Sequence, residues 1–206
     1  MIPRHPVIAV ALLVLLAGCV PFGSSSSPEP EFYRLSFEGE SAQCDALFSR
    51  MVRVRRFSAD QPFGQQRMVL WGRNGTVRFS RSARWVAEPG AMLAEGIRRD
   101  LSRSGLFSSV MEESHPGGAS LELSGRILRF AAEPCASGYR ALFAVKVRLQ
   151  ERSGGEAPLL QKRYSLESGC FPARDAARFA RAMSDLASEF SDRLLEDLCR
   201  KQRKGF

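Results

Sequence analysis

YRALFAVKVRLQER (residues 139–152) sets Phe143, Val145, Val147 and Leu149 against Lys146, Arg148 and Gln150. Strict alternation divides these side chains between the two faces of a β-strand, because successive residues point to opposite sides of the pleat. One apolar face and one charged face describe a strand of an antiparallel sheet that buries a single side. The flanking segments agree. ASLELSGRILRFAAE, just upstream, carries Leu121, Leu123 and Ile127 on one side, and PLLQKRYSLES, just downstream, completes a three-strand meander. The connections PCASG and SGGEA are short and rich in turn-forming residues.

Further upstream, EFYRLSFE (residues 31–38) and MVRVRRFS (residues 51–58) read as two more strands, and FSSVME as a short one. In RMVLWGRNGTVRFS, Asn74 and Gly75 sit between two β-prone runs. That is a hairpin signal, since both turn residues must adopt positive φ. In EPGAMLAEGIRRDLSRSGLF, Leu93, Ile97 and Leu101 are four apart and share a helical face. Pro89 suits the first helical turn, and Gly105 followed by Leu106 suits a left-handed stop with its hydrophobic contact. The spacing predicts a helix over 89–104. A second, longer amphipathic helix follows from Phe179, Met183, Leu186, Phe190, Leu194 and Leu198, with Lys and Arg at its C-terminus as the helix dipole prefers. The expected fold class is α+β: a single domain over residues 31–203, with an antiparallel β-sheet packed with two α-helices.

The N-terminal segment is of another kind. The apolar run of residues 7–17 follows a basic start at Arg4 and is well short of the ~20 residues that span a bilayer. It reads as a secretory signal peptide ending in Leu16, Ala17, Gly18 and Cys19. Those four residues resemble the bacterial lipobox. The resemblance implies cleavage after residues 1–18 and acylation of Cys19 with several chains, palmitate among them. Burial of acyl chains contributes ~0.8 kcal/mol per CH2, and more than one chain gives stable anchoring. Residues 19–30 then form a flexible Ser/Pro-rich tether, too polar to pack. Val20 after the cysteine, where Asp would signal inner-membrane retention, favours the outer membrane. The expected location is the periplasm, lipid-anchored to an envelope membrane.

Loss of Arg4 with the leader takes the 30 basic and 22 acidic residues from a net charge of +8 to +7. A basic surface suits anionic headgroups or an acidic partner. In an exported lipoprotein it excludes nucleic acid as the natural partner. Besides Cys19, four cysteines remain: Cys44, Cys135, Cys170 and Cys199. None is spaced as CxxC, and an even number in an oxidising compartment implies two disulfides. Three pairings are open. The meander favours one of them: Cys135 and Cys170 follow strands that run the same way, while the last helix carries Cys199 to the opposite end. The expected bonds are therefore Cys135 to Cys170 and Cys44 to Cys199.

Catalytic chemistry finds little to use. His115 is the one histidine beyond the leader, in the turn SHPGG. Glu112 and Glu113 beside it make a weak ligand set, and there is no nucleophile elbow, Ser-His-Asp order or phosphate-cradling loop. The chain reads as a non-enzyme with no cofactor and no metal, its only attached group being the lipid on Cys19.

RFSRSARWVAEPGAMLAEGIRRDLSRSGLFSSV (residues 78–110) resembles the auxiliary lipoprotein family of ABC-type transporters found with MCE-domain lipid-transport systems. The lipobox, the early Tyr33-Arg34-Leu35 strand and the motif Arg84-Trp85-Val86-Ala87-Glu88-Pro89 carry the resemblance. An inserted Val86, and Gly90 where Leu is usual, depart from it. The resemblance implies a non-catalytic auxiliary component that docks an MCE-domain protein at a membrane, with the permease and ATPase on other chains. It also implies phospholipid or sterol as the transported lipid. An independent lipid-binding carrier and a structural envelope lipoprotein remain alternatives. Arg84 and Trp85 are the candidate partner-binding residues. Trp85 has a second reading as a buried anchor at the helix entry, with Glu88 favouring the helix N-terminus.

Overall fold

The computed structural model describes residues 29–37, 48–115, 117–153, 157–173 and 175–203. The leader, Cys19 and Cys44 lie outside them. Among the described residues the order is β1 (Glu31–Tyr33), β2 (Phe48–Val54), β3 (Ser58–Ala59), β4 (Arg67–Trp71), β5 (Val77–Trp85), α1 (Pro89–Ser104), β6 (Phe107–Glu112), β7 (Leu121–Cys135), β8 (Gly138–Glu151), β9 (Leu160–Glu167) and α2 (Ala176–Arg203). The fold is α+β with two helices and a large, open, mixed sheet.

The antiparallel meander β7–β8–β9 is the frame. Ile127 pairs with Val145 and Val145 with Tyr164 in register, so the apolar faces of three strands coincide. Leu121, Leu123, Ile127, Val145 and Val147 are fully buried. The rest of the sheet corrects the expectation of a wholly antiparallel arrangement. The other edge of β7 is shared, end to end, by three strands that all run parallel to it. β2 pairs at residues 121–123, β3 at 126–127 and β4 at 131–132. β6 then adds to β2 in parallel, and β5 and β1 extend the branch that starts at β4. A 15-residue strand is long enough to serve three short ones, and the sheet forks there.

Both helices cover the apolar face. α1 buries Leu93, Ile97 and Leu101, and α2 buries Phe179, Met183, Leu186, Phe190, Leu194 and Leu198. α1 ends at Gly105 in the left-handed conformation, φ 66°, with Leu106 fully buried behind it. At the other end Gly90 meets the β2–β3 connection. A Cβ there would lie 2.0 Å from the Phe57 carbonyl oxygen, so only glycine permits the approach. The helices are joined by a buried hydrogen bond: Ser191 Oγ donates to Asp100 Oδ2 at 2.6 Å.

The expected first strand is shorter than its sequence pattern. Pairing with β5 stops at Tyr33, although Leu35 and Phe37 are both buried. Beyond Tyr33 the backbone turns to the helix layer, where Ser36 N donates to Ser184 Oγ of α2 at 3.0 Å. The alternation there reports burial under both helices, with Phe37 on Gly96 of α1, and the ladder ends where α2 takes over the hydrogen bonding.

Candidate functional site

A cleft of about 990 Å³ opens at the end of the sheet where β4 turns into β5. The turn is tight. Asn74 and Gly75 take φ 62° and 74°, and Gly72 N donates to Thr76 O at 2.7 Å. Past it, β5 bulges. Phe79 pairs with Val69 and Arg84 with Arg67, so five steps along β5 match two along β4. The surplus backbone lifts away from the ladder, as bulges do, and makes one wall. The opposite wall is the start of α2 and the segment before it. Phe171 is held by a reciprocal backbone pair with Tyr139, at 2.9 and 2.7 Å, and stacks on Phe179. A disulfide between Cys135 and Cys170 ties that segment to the β7–β8 turn, with Cα atoms 6.3 Å apart.

The lining is amphipathic. Leu70, Trp71, Phe79, Tyr139 and Phe171 supply an apolar and aromatic floor, and the exposed Arg78 and Arg81 stand at the rim. Two of the rings carry cations from outside: the Arg67 guanidinium lies 4.3 Å from the Phe79 centroid and that of Arg129 5.0 Å from Trp71. The one acid of the lining, Asp175, is engaged. Its Oδ1 accepts from Arg178 N at 2.9 Å, capping α2, and its Oδ2 lies 3.2 Å from Arg178 Nε. Close by, the Tyr33 hydroxyl donates to Glu31, and this bond, with burial, pushes the phenol up to about 12. The cleft therefore suits an elongated ligand with an apolar body and an anionic end.

The sequence candidates fall elsewhere. Trp85 is 1 % exposed and packs on Phe130 at 5.3 Å and Phe179 at 5.8 Å. It is a core residue at the helix entry and presents no surface to a partner. Arg84 beside it is half-buried. Its Nη1 donates to the carbonyls of Ser80 and Ala83 at 2.7 and 3.1 Å, bracing the β5 bulge. Glu88 makes no side-chain cap on α1 and pairs instead with Arg56. Cys199 is disulfide-bonded and buried near the end of α2, and Cys44 lies outside the described residues, as does Cys19.

His115, Glu112 and Glu113 do not converge. Arg53 Nη2 donates to the His115 carbonyl at 2.8 Å, and Glu113 accepts from Arg56 N and Arg55 Nε. The backbone donor, first of all, and the Arg55 guanidinium hold the Glu113 carboxyl below the usual range. Among the described residues no group of three or more His, Cys, Asp or Glu side chains is placed to hold a metal, and no helix is long and apolar enough to cross a membrane. The cleft was not legible in the sequence. Its aromatics lie at strand ends and in a loop, and only the fold gathers them.

Comparison with known proteins agrees with the architecture. The fold is similar to that of a Xanthomonas campestris protein assigned to the DUF330 family, with TM-score 0.71 and 16 % identity over 84 % of this chain and 97 % of the other. It is similar to a crystal structure of an uncharacterized protein at TM-score 0.62 and 10 % identity, covering 82 % and 98 %. A Chlamydia trachomatis hypothetical protein follows at TM-score 0.50 and 12 % identity, covering 74 % and 99 %. No curated protein matches by sequence. The family model for the ABC-type transport auxiliary lipoprotein component matches residues 33–194, from β1 into the last turns of α2. With nearly every element of the domain inside that match, the chain belongs to the ABC-type transport auxiliary lipoprotein family.

Proposed function

We propose that this protein is the non-catalytic, lipid-anchored auxiliary component of an ABC-type transport system that moves phospholipid or sterol, and that it docks an MCE-domain protein at an envelope membrane. The observation that carries the proposal is the family match over the whole folded domain. The lipobox at Cys19 supports the anchor, and Val20 after it supports the outer membrane. ATP hydrolysis and membrane passage belong to other chains of the system. Arg84 is the proposed partner contact, acting with the bulge of β5 that it braces.

Affinity purification of the lipidated protein from its own membranes, with mass spectrometry of proteins and lipids, tests this reading. An MCE-domain protein should co-purify with its permease and ATPase. A second reading, an independent lipid carrier, draws on the amphipathic cleft between β5 and α2. Recovery of lipid without those proteins selects the carrier, and recovery of neither leaves a structural envelope lipoprotein. An Arg84→Ala protein that folds and still retains the MCE partner removes Arg84 from the interface.

A further inference from the structure

The face of the meander turned away from the helices carries an unusual row. Arg126 on β7, Lys146 on β8 and Arg163 on β9 lie directly opposite one another in register. Directly opposed side chains on adjacent strands stand about 5 Å apart, and like charges in that relation are destabilising. The next row places Arg148 between Ser124 and Gln161, and the row on the other side places Arg129 opposite Ala144. All five cations are exposed.

Little neutralises them. Arg126 is paired with Asp60. Arg129 lies over Trp71, and Arg163 donates to the Ser165 hydroxyl at 3.2 Å. Among the described residues, none of Arg129, Lys146, Arg148 and Arg163 has a carboxylate partner. By contrast, Lys162, which faces the helix layer, is 2.6 Å from Asp197. At the border of the patch Arg140 is held by Glu133 and Glu167, and on β2's side Arg55 is held by Glu113 and Glu122. Four cations without a carboxylate partner therefore share this face of the meander.

We infer that this patch seats the domain on the anionic phospholipid headgroups of the bilayer that holds its anchor. A row of opposed cations with short Ser and Ala side chains beside them suits anionic headgroups, which relieve the repulsion between them. The bilayer is also the nearest anionic surface. Twelve residues, 19–30, can span about 40 Å at most, which keeps the domain within reach of the membrane that holds the anchor. Each basic residue close to such a surface adds roughly five-fold to association, and the effect falls off within a Debye length of about 8 Å at physiological salt. Four free cations on a tethered domain therefore hold one face down and leave the helix layer turned away. The inference rests on the reading of Cys19 as the lipid anchor and is independent of which transporter the protein serves.

The test uses the lipidated full chain on vesicles of phosphatidylcholine alone or with 30 % phosphatidylglycerol. Amine acylation at Lys146 is read by mass spectrometry, with Lys162 as the internal reference. Lys146 should label several-fold more slowly on the anionic vesicles, and 0.5 M salt should abolish the difference. An Arg148→Glu, Arg163→Glu double variant should lose the protection with a melting temperature no lower than that of the unsubstituted protein. Equal labelling of Lys146 on both vesicles overturns the inference. Protection in native membranes but not on anionic vesicles also overturns it and assigns the face to an acidic protein. Failure to associate with phosphatidylcholine vesicles would instead remove the anchor.

Discussion

Trp85 and Lys146 show how differently single side chains report their roles. Trp85 lies in a motif that invites a binding role, yet its ring closes an aromatic chain through Phe130, Phe143, Phe190 and Tyr164. Trp85→Ala should therefore cost about 3–5 kcal/mol, measured by urea unfolding, as removal of a large buried ring does. Lys146 reads as an ordinary solvated residue, and only the register places it between Arg126 and Arg163. Lys146→Glu should replace two repulsions by two attractions and raise stability by about 0.5–1 kcal/mol. For a domain of this size that is an increase of about 1–4 °C in melting temperature. No increase would mean that the two arginines turn aside from Lys146 in solution.

The strands and helices were largely legible. α1 occupies the predicted span of residues 89–104, bounded by Pro89 and Gly105, because both ends carry their own stop signals. The hairpin at Asn74 and Gly75 has positive φ at both residues for the same local reason. β1 was less legible, since burial of Leu35 and Phe37 under the helix layer, with the Phe37 ring on Gly96 of α1, imitates strand alternation. The cross-link between Cys135 and Cys170 closes a loop of 35 residues that contains the whole β8–β9 hairpin. On loop entropy alone, removing it as a Cys135→Ser, Cys170→Ser pair should cost about 3–4 kcal/mol in thermal or urea unfolding. It should also free the Phe171 segment that walls the cleft, so proteolysis near that residue should accelerate before global unfolding.

The domain as a body has one core, and its titrating groups are set into that core's edges. Tyr164 lies in the sheet against α2, where burial, with a hydrogen bond to Asp197 Oδ2 at 2.8 Å, drives its phenol well above 10.0. A phenol whose folded value is raised contributes stability that is fully present below pH 10 and is lost as pH rises beyond it, because the unfolded chain ionises first. Tyr164→Phe should flatten the alkaline limb of the stability profile above about pH 10, followed by urea midpoints. Glu113 works in the opposite sense. Its lowered carboxyl contributes stability above its unfolded value of 4.5, and that contribution is lost as pH falls through the folded value. Glu113→Gln should therefore lower stability at neutral pH and shrink the loss on acidification.

Two kinds of information are separated in this chain. Local periodicity determined the element types, the buried face of each element and the α+β class, because periods of 2 and 3.6 residues are written within each segment. The resemblance of residues 16–19 to a lipobox raised the expectation of a leader and an acylated cysteine ahead of the folded domain. The folded chain alone decided which strands meet. β7 has two edges and could take any partner by pattern, and closing a long loop costs little more than closing a short one. Neither β7's three parallel neighbours, nor the bulge that opens the cleft, nor the opposed row of Arg126, Lys146 and Arg163 has a local signature. Each depends on residues far apart in sequence that meet only when the strands pair.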